Sequence, residues 1–362
     1  MPNHRRSKST MQTDVIIVGA GLSGLHLAHQ LVQNDISVRV LEARERVGGR
    51  ILSIPIGTAA FDMGPAWFWE GQPRIAALIL KFSLTVFEQF SKGDLTFEDQ
   101  NGSVQRGRGF SSMEGSYRLK DGLAAMVQGL LEALPANSVT TGSPVTKVVQ
   151  NVDGVEVHAN GKTYTAKHVV FALPPRVAGA TLKFEPELPQ DALSSLANVP
   201  TWMAGQAKAI AVYDSPFWRE DGLSGDATSR FGPMVEMHDA SPATGGPFAI
   251  FGFIGVPPEG RKNEDALRIA LKQQLGRLFG PQAANPRELL IKDWALDPFT
   301  STADDLKPLY AHPTYRPLPP AWDGKILFSG TEVAPQFGGY LEGALEAADN
   351  TAISLQAALQ RH

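Results

Sequence analysis

Cysteine is absent from the 362-residue sequence. That excludes disulfides, thiolate metal sites, a cysteine nucleophile and any cofactor tethered through a thioether. The 8 histidines are scattered. No pair of them has the spacing of a metal site, so no metal is expected. No serine nucleophile elbow with histidine and acid partners is present. No window reaches the roughly 18 apolar residues that a membrane helix needs, so no membrane anchor is expected. Charge of one sign is also lacking. The 33 basic and 37 acidic residues leave a net charge of -4 without a basic stripe, which argues against a nucleic-acid partner. The first ten residues, MPNHRRSKST, lack the apolar core of a secretory signal. They are expected to form a disordered tail, with Met11 as an alternative start, and a cytoplasmic location needs no further assumption. Nothing in the sequence specifies an oligomeric state.

What is present is concentrated between Thr13 and Arg50, TDVIIVGAGLSGLHLAHQLVQNDISVRVLEARERVGGR. Val15 to Val18 is an unbroken apolar run, as expected for a strand buried on both faces. Gly19, Gly21 and Gly24 follow at once. The first allows a tight turn, the second leaves room for a pyrophosphate, and the third lets a helix pack against the strand. The helix, predicted over about Leu22 to Gln33, aims its first amides at the phosphates. A second strand, Ser37 to Leu41, ends in Glu42. That carboxylate lies where ribose hydroxyls would be held. Strand, glycines, helix, second strand and acid in this order predict a dinucleotide site.

Beyond it, helices are predicted over Arg74–Phe82 and over Leu123–Leu134, the latter with Asp121 as cap and Pro135 as stop. Short strands and loops are expected from Ser91 to Arg118. Strands follow at Val145–Gln150, Val155–Ala159 and Thr163–Ala166, separated by Asp153-Gly154 and Asn160-Gly161 turns, and a buried strand at His168–Leu173. From Pro186 to Trp294 the pattern changes. Strands are predicted at Gln206–Tyr213, Met234–His238, Phe248–Ile254 and Leu289–Trp294, with one helix at Asn263–Phe279. This suggests a second, largely antiparallel domain. A short strand, Lys325–Ser329, then leads through Gly330 and Gly338-Gly339 into an amphipathic helix, Leu341–Leu359. The two ends of the chain are expected to form one discontinuous nucleotide domain.

Three blocks carry a resemblance. The first is Asp14 to Arg50, ending in Glu-Ala-Arg-Glu-Arg-Val-Gly-Gly-Arg and followed by Phe61-Asp-Met-Gly64. The second is Lys208 with Tyr213-Asp-Ser-Pro-Phe-Trp218. The third is Phe328-Ser-Gly-Thr-Glu-Val-Ala-Pro-Gln-Phe-Gly-Gly-Tyr-Leu-Glu-Gly-Ala344. Together they resemble the flavin-containing amine oxidase family, which includes monoamine, polyamine and L-amino-acid oxidases. The resemblance implies an α/β fold: a Rossmann-like FAD-binding domain with a second mixed, largely antiparallel substrate domain. The expected parts are 12–85, 119–184 and 295–362 for FAD, and 86–118 and 185–294 for substrate.

The resemblance also implies roles. Gly19, Gly21, Ser23 and Gly24 would cradle the pyrophosphate. Glu42 would hold the adenosine ribose, with Arg44 beside it. Gly49 and Arg50 would lie along the pyrophosphate and flavin side, and Gly64, Pro65, Ala66 and Trp67 near the isoalloxazine edge. Val145 would meet adenine, Glu332 the ribityl-phosphate region and Leu341 the pyrimidine end. FAD would be non-covalent, since no cysteine is available. The reaction implied is hydride transfer from the carbon next to an amine nitrogen to flavin N5. It would give an imine that hydrolyses to a carbonyl compound and, with oxygen as acceptor, hydrogen peroxide. A dehydrogenase or desaturase using another acceptor, and a non-catalytic flavin-binding module, are alternatives.

Three side chains would carry the chemistry. On a strand, Gln206, Lys208, Ile210 and Val212 share one face, and Ala207, Ala209, Ala211 and Tyr213 the other. Neither is plainly wet, so Lys208 is either a snorkelling surface lysine or, as the resemblance implies, the group that holds a water near N5 and supports reaction with oxygen. Tyr340 is either a packed tyrosine or one wall of an aromatic cage. Trp294 is either core or flavin-adjacent. Trp67, Phe68 and Trp69 form a pocket wall or a cluster under a loop. One departure is plain: a second cage tyrosine should fall near Thr302 to Asp305, where the sequence reads Thr-Ala-Asp-Asp. Either Phe299 substitutes or the cage is half open. Asp304 then either faces the substrate or caps a helix.

Overall fold

A computed structural model describes residues 11–307, 309 and 311–360; the expectation for the basic tail lies outside them. The chain divides into two compact units. One takes in the chain up to Gly49, Gly129–Trp202 and the chain from Ala311; the other is Arg50–Gln128 with Met203–Tyr310.

The first unit is built on an eight-stranded sheet. Met11–Val18 lies at its centre, parallel to Val38–Leu41 on one side and to Lys162–Phe171 on the other. Val15, Ile16 and Ile17 are fully buried, which explains the unbroken apolar run. Helix Leu22–Val32 crosses between the first two strands and buries Leu25, Leu27, Ala28 and Leu31, each such leucine contributing about 1.5–3 kcal/mol. The two strands expected at Thr163–Ala166 and His168–Leu173 are one ten-residue strand, Lys162–Phe171. Its first half pairs antiparallel with Gly154–Ala159 and its second half parallel with Ile326–Phe328. Continuous ladders on both sides explain why no turn interrupts it.

The last helix, Leu341–Leu359, has the expected bounds, but its acids do not form the wet face. Glu342 and Glu346 are buried, and Glu346 accepts from the Phe337 and Gln336 amides. His26 pairs with Asp349 at 3.0 Å. Among the described residues no helix is long and apolar enough to cross a membrane.

The second unit carries a seven-stranded sheet in the order Glu288–Asp293, Ala207–Tyr213, Phe248–Ile254, Met234–Asp239, Leu223–Ser229, Asp94–Glu98, Val104–Gly107. All neighbours are antiparallel except Leu223–Ser229 with Asp94–Glu98. Helix Glu264–Phe279, capped by the Asn263 side chain, places Leu267, Leu271, Leu275 and Leu278 in this unit's core. Helix Ala124–Glu132 is not capped by Asp121. The Asp62 carboxylate accepts from the Leu123 amide at 3.0 Å, and the Ser53 hydroxyl from Ala124 at 3.0 Å. The hairpin Ser53–Ile56/Ala59–Asp62 thus supplies a cap that no local motif announces.

Candidate functional site

In the first unit the glycine turn forms an open cradle. Gly19 has φ 107°, and a Cβ there would come 2.6 Å from the Ala172 carbonyl oxygen. Only glycine is free of both problems. Gly21 caps the helix with no side-chain hydrogen bond, and the first turn holds no acid. The first amides of a helix lack helical acceptors, so this bare end suits an anion. A Cβ on Gly21 would meet nothing nearer than Gly49 Cα at 3.9 Å, and the Gly48 amide donates to Ala20 O at 2.8 Å. This tie brings Gly49 to the turn. Arg46 Nη2 donates to Gly49 O at 2.8 Å.

Glu42 ends its strand buried. Its carboxylate accepts from the Ala20 amide at 2.8 Å and the Arg44 amide at 2.9 Å, with the Arg44 guanidinium at 3.7 Å. These amides lock the carboxylate in place and leave lone pairs for further donors. Ser23 directs its hydroxyl to the Ser329 carbonyl, so it offers an anion its backbone amide. Glu332 is buried in the segment after strand Ile326–Phe328. Val145 begins strand Val145–Asn151, and Leu341 begins the last helix. A side-chain-free turn, a bare helix end and a fixed terminal carboxylate fit a dinucleotide.

In the second unit, strand Ala207–Tyr213 is buried along its whole length. Lys208 is 5% exposed, so it does not snorkel. Its Nζ donates to the Gly64 carbonyl. Three rings surround it, with centroids at 4.6 Å (Phe251), 5.1 Å (Phe253) and 5.7 Å (Trp67), a box whose π faces favour a cation. Burial lowers the Lys208 pKa to about 7, against the pull of the Asp62 carboxylate. Asp62 is itself buried and raised to about 6 by burial, although the Ser53 hydroxyl, Arg118, the Leu123 amide and Lys208 favour its anion. Close packing brings Gly64 to the lysine, since a Cβ there would collide with the Arg50 carbonyl.

Trp67 is held from the other side. Its indole N–H donates to Gln89 Oε1 at 2.8 Å, and Gln89 Nε2 donates to Asp239 O at 2.7 Å. Trp294 is buried just past its strand, and its indole N–H donates to Met63 O at 3.0 Å. Pro65 is half-buried and Ala66 buried. Phe68 packs on Tyr117, with ring centroids 5.9 Å apart, and Trp69 is exposed.

Residues 302–305 bear on the reading of Asp304 as a cap. Thr302 and Asp305 form a capping box over a short 3-10 helix. Asp304 is exposed and sits 3.7 Å from Lys307. The capping acid is therefore its neighbour Asp305.

Nothing local marks Gln89, Phe251 or Phe253 as site residues, and Asp62 stands in the Phe61–Gly64 block without a role of its own; the sheet and hairpin bring them together. The same holds for His238. It is buried between Asp226, 2.6 Å from Nδ1, and Glu236, 3.0 Å from Nε2. Burial disfavours its charge, but hydrogen bonds to both acids prevail and raise its pKa. Ser111 and Ser112 donate to Asp226 and Glu236, each at 2.6 Å. Among the described residues no group of three or more histidine and acid ligands could hold a metal ion.

A family model for flavin containing amine oxidoreductase matches residues 98–354, and one for an NAD(P)-binding Rossmann-like domain matches 17–82. The probable flavin-containing monoamine oxidase A of Dictyostelium discoideum is 24% identical, over 92% of this chain and 95% of its own. An L-amino acid dehydrogenase of Synechocystis sp. is 24% identical, over 94% of each chain. In fold, a putrescine oxidase structure described as bound to putrescine superposes with a TM-score of 0.80 at 22% identity, covering 96% of this chain and 100% of that one. The dinucleotide cradle and the match across most of the sequence lead to one assignment: the chain belongs to the flavin-containing amine oxidoreductase family.

Proposed function

We propose that the protein is an FAD-dependent oxidase of a small amine, using oxygen as acceptor and working in the cytoplasm. The first unit is read as the FAD domain and the second as the substrate domain. The observation that carries the reading is Lys208, a buried amine held by a carbonyl and three rings. Burying a cation in an apolar box costs stability, which a purely structural position would avoid with leucine or methionine.

Flavin, when bound, supplies the hydride acceptor, so that amine, oxygen and water become carbonyl compound, ammonia and hydrogen peroxide. The chain does the rest. Gly21, Gly49 and the bare helix end accept the phosphates, and Glu42 accepts from ribose hydroxyls. Desolvation in an apolar pocket disfavours an ammonium substrate and favours the neutral amine that gives up hydride. Lys208 supports the reaction with oxygen by holding positive charge in a dry site.

The test is an anaerobic panel of amines followed by loss of flavin absorbance, then peroxide measured in air. No bleaching by any amine would remove the proposal. The similarity to the Synechocystis dehydrogenase favours a second reading, a carrier-linked dehydrogenase. Bleaching with little peroxide, and turnover restored by an artificial electron carrier, would select it. Because the chain has no cysteine, acid precipitation should release all flavin, as FAD, into the supernatant. Flavin left in the pellet would contradict a non-covalent cofactor.

A further inference from the structure

Tyr340 is 45% exposed, yet its ring is not unsupported. The His312 imidazole lies over it with centroids 5.0 Å apart and planes 4° from parallel. His312 is held in turn by Trp202, at 4.9 Å, and by the edge of Tyr315, at 5.9 Å and 90°. Tyr315 is anchored, donating its hydroxyl to Pro200 O at 2.8 Å and accepting from the Trp202 amide at 3.1 Å. The Tyr340 backbone is fixed as well, with its carbonyl accepting from Thr331 Oγ1 at 2.8 Å. Gly339 completes the arrangement. At φ 84° it favours glycine, and a Cβ there would come 2.8 Å from His312 Nε2 and 3.3 Å from Trp202 Cβ. Every element of this cluster lies in the first unit.

We propose that His312 is the positioning residue of Tyr340, and thereby sets how the substrate amine meets that ring. The inference rests on the amine-oxidase reading, in which Tyr340 faces the substrate. Stacked rings at this separation leave no gap for a guest, so the imidazole closes one face of Tyr340. The amine can use only the other face and the edge. The sequence departs from the family's paired tyrosines at 302–305, and the second ring against Tyr340 comes instead from a histidine in the following segment. Stacking of this kind favours one relative ring geometry beyond what area burial alone provides. That preference fixes one ring orientation on an exposed side chain.

The experiment uses the flavin-loaded protein. His312→Ala should raise the apparent Kd of the amine in anaerobic flavin bleaching by about 10-fold, equivalent to about 1.4 kcal/mol. The limiting bleaching rate should change less, and reoxidation by oxygen should not change. His312→Phe, which keeps a flat ring, should restore the Kd to within about twofold. An unchanged Kd in His312→Ala would overturn the proposal, as would an equal defect in His312→Phe. A second readout needs no substrate: the imidazole proton resonances of His312 should lie upfield in the wild type and move downfield in Tyr340→Ala. If that ring-current shift is missing, the stack does not exist in solution and the proposal fails, whatever the activity. If the shift is present but no amine bleaches the flavin, the amine-oxidase reading has failed instead.

Discussion

Lys208→Met is expected to leave flavin bound and amine-driven bleaching intact while slowing reoxidation by oxygen on the order of 100-fold, the size of effect seen when one preorganised group aimed at developing charge is removed. The substitution suits the site, because methionine matches the lysine stem in length and the three surrounding rings accept a thioether. Removing a buried ammonium also lifts its desolvation cost, so the melting temperature should hold or rise. The Lys208 pKa is lowered to about 7, so the ammonium is lost as pH rises through that value. Wild-type reoxidation should therefore fall along an alkaline limb near pH 7, and the methionine variant should be flat. Stopped-flow reoxidation across pH checks both. An unchanged rate in Lys208→Met would take the lysine out of the chemistry. For stability the sign is opposite. The folded pKa lies below the unfolded value of about 10.4, so the cost of the buried charge is complete below about pH 7 and fades as pH rises toward 10.

The largest stability loss is expected from Asp62→Ala. That change removes the acceptor of the Leu123 amide and the Ser53 hydroxyl, and deprives buried Arg118 and Lys208 of a compensating charge. Leaving buried cations without their anion costs about 3–5 kcal/mol, which urea unfolding would resolve. Asp62→Asn keeps an oxygen for the cap, so it should recover the part of the loss that comes from the Leu123 and Ser53 hydrogen bonds and leave the part that comes from the charge. It still removes the charge that favours the Lys208 ammonium, so the alkaline limb of reoxidation should move about one unit toward acid. A limb that stays in place would show that the two groups are not coupled. Asp62 has a folded pKa of about 6, raised above its unfolded value. Its contribution is present at low pH and lost as pH rises through 6. Asp62→Asn should abolish that part of the acid-side profile.

The nucleotide turn was legible because each step obeys a local rule. A strand buried on both faces reads as Val-Ile-Ile-Val, and the turn after it needs glycine wherever a side chain would strike backbone. Strand Leu223–Ser229 was not legible. Its sequence, LSGDATS, shows no apolar alternation, yet it is buried. Its polar atoms are satisfied at a distance, with Asp226 bonded to Ser111 and His238, and Ser229 to Glu98 at 2.6 Å. Burial achieved through partners far along the chain leaves no periodicity to read. The same limit hid the site's neighbours. Lys208 was visible as a cation in an apolar run, but Phe251, Phe253 and Trp67 reach it through pairing of Ala207–Tyr213 with Phe248–Ile254 and through packing of the Gly64 segment. The Tyr340–His312 stack has no sequence signature, since the rings come from separate loops.

The remote cap has a bearing on how the chain assembles. Helix Ala124–Glu132 is nine residues long, shorter than the roughly 12–15 that an isolated helix needs in water. Its first turn is closed by Asp62 and Ser53, from the two strands of one hairpin. In the unfolded chain this segment should therefore flicker, settling only when the hairpin docks against it. Early hydrogen-exchange protection of Met126 and Val127 should rise together with that of Phe61, as one cooperative event.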